Sequence, residues 1–372
     1  MIYLDNAATT RMYDEVIDIE KDFEKKYFAN PSALHSFGMD VENKVKEARE
    51  IVASNINSNS NEIYFTKGAT ESNNIIINSF AGVNNKALTT KLEHSSVIDA
   101  FENSNFKKIG FINNDEFGFL DLKDLEEKID KETKLVSIIY VQNEISTIQN
   151  IKKISEIIKS KNKDILFHID ATQALGKISC DVKDLGVDAM SFSSHKIHGP
   201  KGIGGLYINN SFKNKIKPLL YGGRQEIFSS GTLNAPAIYA FAKALELSKE
   251  KEDYSYIKNL NLYLRNKISD KFKGYKINSP LENSSPYILN ISFEKIKSEV
   301  LLHMLESDNI FVSSGSACSK GNNSRILSAL NLDKKYMDGA IRFSFSHDIK
   351  IKDLDLLVEK LYEYIEDIRK VF

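Results

Sequence analysis

Short β-branched runs alternate with longer amphipathic stretches through the first two-thirds of this chain, and that alternation restricts the fold more than any other feature. Runs at residues 62–66, 134–141, 165–169 and 189–192 have strand length and composition, and helix-like segments such as 151–161 separate them. Strands that alternate with helices build a mostly parallel sheet covered on both faces. Residues 41–56 carry Val41, Val45, Ala48, Val52 and Ala53 on one helical face and charges on the other, the pattern of a packed surface helix. GIGGLYIN at 202–209 reads as a further short strand, and 235–252 as a long alanine-bearing helix. The pattern then changes to a helix, strands near 287–293 and 340–345, and a closing amphipathic helix at 351–368. The expected division is a large α/β domain over residues 11–252 and a small α+β domain made of residues 1–10 and 253–372.

Composition excludes several classes of function. Lys plus Arg (50) against Asp plus Glu (51) leaves a formal charge of −1, so no global field draws the chain to nucleic acid or to an anionic membrane. No apolar run reaches the roughly 18 residues that a membrane span requires. The first residues, MIYLDN, lack the basic start and apolar stretch of a secretory signal, and a cytoplasmic location is expected. Two cysteines, Cys180 and Cys318, make no disulfide framework, so each is a free thiol kept for packing or for reactivity.

The residues suited to chemistry fall at strand ends. Asp170 closes the apolar run ILFHID, and Lys196 lies in SFSSHKIHGPKG just after another run, so both belong at carboxyl ends of strands, where such sheets bind ligands. A lysine beside an aspartate-lined pocket suits a Schiff base to pyridoxal phosphate, with the aspartate keeping the ring nitrogen protonated; the plain alternative is a solvated lysine near a helix cap. Ser193 and His195 offer short polar contacts to a phosphate, and the glycines that follow allow close backbone approach. FTKGATESNN, residues 65–74, puts Gly68, Ala69 and Thr70 between a strand and a helix opened at Thr70 or Glu71, a phosphate cradle or simply a cap. His94 in KLEHSSV could stack on a ring and move protons near neutral pH. Asn143 in VQNEIS and Gln173 in DATQ are amides suited to a ring hydroxyl or a substrate. Arg342 on the apolar run IRFSFS is either a buried ion pair or a fork-like grip on a carboxylate. Cys318, in the small-residue stretch VSSGSACSKGNNS, suits an accessible nucleophile, whereas Cys180 in KISCDV reads as part of a strand that fills space. His195 and His198 stand three apart without further ligands nearby in sequence, and no metal site is expected.

The order of these motifs resembles the cysteine desulfurases of the NifS/IscS type, a branch of the class V aminotransferases with the type I fold of pyridoxal-phosphate enzymes. The resemblance runs nearly end to end, through YLDNAATT, NPSALHSFG, FTKGATESNN, KLEHSSV, VQNEIS, HIDATQALGK, SFSSHKIHGPKG, SGT, SSGSACS and IRFSFS. It implies a large domain with a mostly parallel seven-stranded sheet, a small α+β domain and a homodimer. Lys196 matches the Schiff-base lysine, Asp170 the partner of the pyridine nitrogen, and His94 the imidazole that stacks on the ring and serves as acid and base. Ala69, Thr70, Ser193 and His195 match phosphate-binding positions, and Thr232 a residue reaching the neighbouring subunit's cofactor. Gln173 matches the amide near the ring hydroxyl, and Asn143 and Arg342 the groups that hold the substrate carboxylate, Asn143 also lying beside the cofactor. Cys318 matches the nucleophile that takes sulfur from L-cysteine as a persulfide, leaving alanine.

Departures from the pattern bear on partners. Ser229 and Ser230 precede Gly231 where the family often has arginine, which weakens the expected grip across the subunit boundary. The segment after Cys318 is shorter than in enzymes that feed the general iron-sulfur scaffold, and the chain stops at Phe372 soon after its last helix. The resemblance implies an iron-sulfur scaffold as sulfur acceptor, and these departures raise a dedicated acceptor such as a tRNA-thiolation sulfurtransferase as the alternative. The competing enzyme is a selenocysteine lyase or an aminotransferase of the same class, in which Cys318 is dispensable. A noncatalytic platform with this fold would show degeneration at Lys196 or His94, and these two, with Asp170 and Gln173, are all present.

Overall fold

The structure, a computed structural model, describes residues 1–223, 225–314 and 324–371. Its strands are β1 (Ile2–Tyr3), β2 (Ile63–Thr66), β3 (Lys86–Thr90), β4 (Lys108–Ile112), β5 (Thr133–Ile139), β6 (Leu166–Asp170), β7 (Ala189–Ser193), β8 (Gly204–Ile208), β9 (Tyr275–Ile277), β10 (Ile288–Phe293), β11 (Ile310–Phe311), β12 (Ser313–Ser314) and β13 (Ala340–Ser344). Seven of them form the central sheet in the order β2-β8-β7-β6-β5-β3-β4. Only β8 runs against its neighbours, pairing antiparallel with β2 and β7. The carboxyl ends of β2, β3, β5, β6 and β7 therefore share one edge of the sheet.

Alternate residues of one strand enter two different layers, which is why the parallel strands read as continuous apolar runs. On β6, Phe167 and Ile169 join a core with Val41, Val45 and Val52 of helix Ser36–Asn55 and Ala237 and Phe241 of helix Ala235–Lys251. Leu166 joins the opposite core, with Ile75 and Ile76 of helix Ala69–Phe80 and Val97 and Phe101 of helix Ser95–Glu102. A separate antiparallel sheet, β12-β13-β10-β9, packs Ile291, Phe293, Ile341 and Phe343 against helices Tyr254–Lys271, Ser298–Ser307 and Ile351–Val371. The chain's first residues belong to this second body: β1 pairs parallel with β11, Asp5 bridges to Ser344, and Ala7 N donates to Ser344 Oγ at 2.9 Å.

Three sequence expectations change. Strands β3 and β4 were not legible, because KALTT and KIGFI hold few β-branched apolar residues and β3 is buried by its neighbours on both sides. Cys180 is not on a strand: it sits in the irregular segment before helix Val182–Leu185, whose first N–H groups bond to the Asp181 side chain, so the chain turns there instead of extending. The helix expected to begin at Val41 starts at Ser36, because the His35 ring accepts a hydrogen bond from Gly38 N at 3.1 Å and caps it earlier.

Gly204 shows how tightly the sheet edge is built. It lies between Thr66 of β2 and Ser193 of β7, and a Cβ there would meet Phe192 O at 2.4 Å and Gly68 Cα at 2.7 Å, both backbone atoms. Gly204→Ala is expected to cost about 1–3 kcal/mol by overpacking. Urea denaturation checks this, and an unshifted midpoint would show that the three strands move apart freely.

Candidate active site

A cavity of about 1220 Å³ opens at the carboxyl ends of the parallel strands, lined also by Asp5, Ala7, Ala8, Thr9 and Arg342. It brings together Ala69, Thr70, His94, Asn143, Asp170, Gln173, Ser193, His195, Lys196 and Arg342.

Lys196 ends the short turn after β7, and its Nζ donates to the carbonyl oxygens of Ala7 at 2.7 Å and Ala8 at 2.5 Å. Burial lowers its pKa to about 7, the nearby Lys177 and Arg342 add to this, and Asp5 and Asp170 oppose it. A large share of the amine is thus neutral, and nucleophilic, near neutral pH. Asp170 is buried, and its carboxylate accepts from Asn73 Nδ2 and from Thr172 N, each at 3.0 Å. Asn73 also donates to Ser96 Oγ at 2.9 Å, and Ser96 N donates to His94 Nδ1 at 3.1 Å. Because Nδ1 accepts, the neutral His94 ring carries its hydrogen on Nε2. The surrounding protein lowers the His94 pKa by desolvation, against the pull of Asp170, which favours that neutral form.

The other wall is an anion cradle. Helix Ala69–Phe80 starts at Ala69, not at Thr70 or Glu71, and no side chain caps it. Gly68 precedes it with φ +144°, a conformation open to glycine, with Ser193 Oγ 3.4 Å from where a Cβ would stand. Uncapped helix N–H groups, the Thr70 and Ser193 hydroxyls and the His195 ring are the donor set that a phosphate ester needs. His195 meets Thr9 Oγ1 at 3.1 Å, and burial lowers its pKa to about 4, so the ring is neutral. A neutral lysine, a hydrogen-bonded aspartate, an imidazole and this cradle around one cavity fit pyridoxal phosphate.

Arg342 lies on β13, facing the cavity from the second body of the structure. One guanidinium nitrogen donates to Asp5 Oδ1 at 2.9 Å, another to the backbone oxygen of Asn143 at 2.9 Å, and its buried Nε has no partner. Of the two readings of this arginine, the ion pair is the one the structure shows. Asn143 meets Arg342 through its main chain, a contact its side chain did not announce. Gln173 Nε2 shares the Ala7 oxygen with Lys196, at 2.9 Å, while its Oε1 accepts from Lys177 Nζ at 3.3 Å. Thr232 is exposed and outside the cavity. Cys318 lies outside the described residues, and Ser314 and Ser324 on either side of that segment both line the cavity. Cys180 is buried and its thiol is pushed up to about 12, which makes it inert. Sequence reasoning overlooked Asp5, Asn73 and Ser96, although each lies within a motif already singled out.

The sheet order and this arrangement of lysine, aspartate and helix cradle define a vitamin-B6-type enzyme fold. The sequence profile of the family Aminotransferase class-V matches residues 2–357. Cysteine desulfurase IscS of Dictyoglomus turgidum is 37% identical over 382 residues, covering 100% of this chain and 96% of that protein. A solved structure described as a NifS-like protein superposes with a TM-score of 0.91 at 34% identity, covering 98% of this chain and 99% of that one. Another, described as SspA in complex with cysteine, has a TM-score of 0.82 at 31% identity over 93% of this chain and 99% of that one. The chain belongs to the class V aminotransferase family, and within it to the cysteine desulfurases. Among the described residues no helix is long and apolar enough to cross a membrane.

The lowered proton affinity of Lys196 has a thermodynamic consequence. Between about 7 and the ordinary 10.5 the unfolded chain holds a proton on this amine that the folded chain lacks, so stability of the cofactor-free protein rises with pH across that window. Lys196→Met is expected to remove that part of the rise. Urea denaturation of both proteins over a pH series checks it; an equal rise in the variant would assign the titration to Lys177, which burial lowers to about 8.

Proposed function

We propose that this chain takes sulfur from L-cysteine, leaving L-alanine, and carries it as a persulfide on Cys318. The observation that supports this most is the convergence of Lys196, Asp170, His94 and the Ala69–Thr70 cradle on one cavity, whose rim holds both flanks of the Cys318 segment. Ala69, Thr70, Ser193 and His195 would hold the phosphate of pyridoxal phosphate, Gln173 its ring hydroxyl, Asp170 its ring nitrogen, and Lys196 Nζ its aldehyde carbon. When bound, this cofactor supplies an electron sink for a carbanion beside the amino nitrogen of the substrate. Lys196 Nζ, released by the substrate, takes the Cα proton, and the His94 ring moves protons at the substrate. Arg342, which lines the cavity, and Asn143 hold the substrate carboxylate. The Cys318 thiolate then bonds to the substrate sulfur; the carbon–sulfur bond breaks, its electron pair stays with the departing carbon, and that carbon takes a proton to become the methyl group of alanine.

In this reading residues 11–252 form the large domain, residues 1–10 and 253–372 the small one, and Thr232 reaches the cofactor of a second copy in a homodimer. A thiol that must be returned to its reduced form suits a cytoplasmic setting. The acceptor is a protein thiol that serves iron-sulfur assembly or tRNA thiolation.

Single-turnover reaction with L-cysteine tests the proposal. Wild type is expected to release alanine and show a persulfide on Cys318, and Cys318→Ala to do neither; undiminished turnover in the variant would favour a lyase or aminotransferase instead. Borohydride reduction is expected to fix the cofactor on the peptide that holds Lys196, and fixation on the Lys177 peptide would refute that role. Arg342→Lys loses the forked donor and about 1.5–3 kcal/mol of charged hydrogen bonding, which is expected to raise KM for L-cysteine about tenfold to a hundredfold.

A further inference from the structure

Behind the Lys196 turn, outside the catalytic cavity, three ligand-type side chains converge from distant parts of the chain. His198 lies two residues beyond Lys196, Glu252 joins helix Ala235–Lys251 to helix Tyr254–Lys271, and His347 follows β13, the strand of Arg342. His198 Nε2 is 3.2 Å and His347 Nδ1 2.7 Å from Glu252 Oε1. Among the described residues these are the side chains whose His, Cys or carboxylate atoms gather in this way, all within 4.8 Å of one another.

Each imidazole has its other nitrogen held by an oxygen. His198 Nδ1 is 2.8 Å from the backbone oxygen of Arg11, which can only accept, so that nitrogen carries the hydrogen and the neutral ring turns the bare lone pair of Nε2 toward Glu252. His347 Nε2 is 3.2 Å from Asp348 Oδ1, which directs Nδ1 to the same carboxylate. An acceptor behind each histidine and a carboxylate between them is the arrangement that orients metal-binding imidazoles. A positive charge, a shared proton or a metal ion, must stand between these ring nitrogens and the Glu252 carboxylate at such separations.

Glu252 adds an independent sign. Its side chain is 5% exposed, and Oε1 accepts from the Tyr13 hydroxyl at 3.3 Å and faces both rings, while the buried Oε2 has no partner. A buried carboxylate oxygen without a hydrogen bond calls for a ligand. Tyr13 stacks on His198 with ring centroids 4.4 Å apart and fixes that ring from one side. A cavity of about 200 Å³ lined by Tyr13, His198, His347 and Asp348 gives an entry and room for a water as a further ligand. The nearby cation Lys251 is already paired with Glu15 at 2.6 Å.

We propose that His198, Glu252 and His347 bind a divalent transition metal of the zinc class. Two histidines and a glutamate are ligands of that class, and about 3.4 Å separates neighbouring ligands in a tetrahedral zinc site. His347, whose side chain is 26% exposed, is free to close the remaining distance. Such an ion would tie the turn that carries Lys196 to the segment that follows Arg342, joining the two bodies whose faces make the catalytic cavity. The sequence offered only His195 and His198 for this purpose; the fold replaces His195 with two residues far along the chain.

The test uses holoenzyme with Cys318→Ser, which removes the reactive thiol as a competing ligand. Stripped with a chelator and dialysed against zinc chloride, this protein is expected to keep a single zinc per chain and to unfold at higher temperature. His347→Gln and Glu252→Gln, introduced separately into it, are expected to lose both effects while retaining the cofactor's visible absorbance. Cobalt in place of zinc is expected to show d–d bands without a thiolate charge-transfer band. No zinc retained by the parent protein, or equal retention by His347→Gln, overturns the site. An unfolding temperature that follows pH and ignores zinc assigns the cluster to a shared proton and overturns it as well. Should both variants lose the cofactor, the cobalt spectrum of the parent decides: nitrogen and oxygen coordination supports the site, and its absence refutes it.

Discussion

Two backbone oxygens near the start of the chain hold the centre of this protein together. The partly buried amine of Lys196 needs acceptors, and it finds them at Ala7 and Ala8. Gln173 donates to the same Ala7 oxygen, and Asp5, two residues earlier, pairs with Arg342. One short N-terminal strap therefore positions the lysine, an amide and the arginine. The strap is itself held by β1 against β11 and by the contacts of residues 5–7 with Ser344. Placement of the active lysine depends in this way on a sheet to which it does not belong.

The central sheet supplies the opposite half of the site by a different route. Parallel strands buried on both faces must end at a common edge, and the strand ends and connecting segments there carry Gly68, His94, Asn143, Asp170 and Lys196. Close packing at that edge leaves no spare volume: the Gly204 and Gly68 backbones touch, and the phosphate cradle lies directly against β8. Desolvation then sets the chemistry. The same enclosure that neutralises Lys196 also keeps His94 and His195 uncharged, so the cavity holds proton-transfer groups in forms ready to act near neutral pH.

Much of the candidate site was legible because its residues sit in short local motifs. Asp170 and Lys196 stand at strand ends, and Ala69 and Thr70 at a strand-to-helix turn, so local pattern was enough to place them on one sheet edge. Strands β3 and β4 were not legible, since neighbours rather than its own composition bury β3, and β4 is a largely exposed edge strand. The extended conformation read for Cys180 failed because the Asp181 cap bends the chain there. Supporting groups such as Asn73, Ser96 and Asp5 escaped notice for a related reason: an asparagine or serine in a motif does not reveal which side chain it will meet.

The sequence by itself determined the kind of protein this is: alternating short apolar strands and amphipathic helices, a lysine and an aspartate at strand ends, and a Gly-Ala-Thr helix start. These are local features, written within a few residues of one another. Only the tertiary structure decided which distant groups tune them: the Ala7 and Ala8 oxygens on Lys196, the Asn143 carbonyl on Arg342, and the convergence of His198, Glu252 and His347. The physical reason is that electrostatic and hydrogen-bond effects act over a few ångströms in space. Residues far apart in the chain come that close only when the sheets and helices have packed.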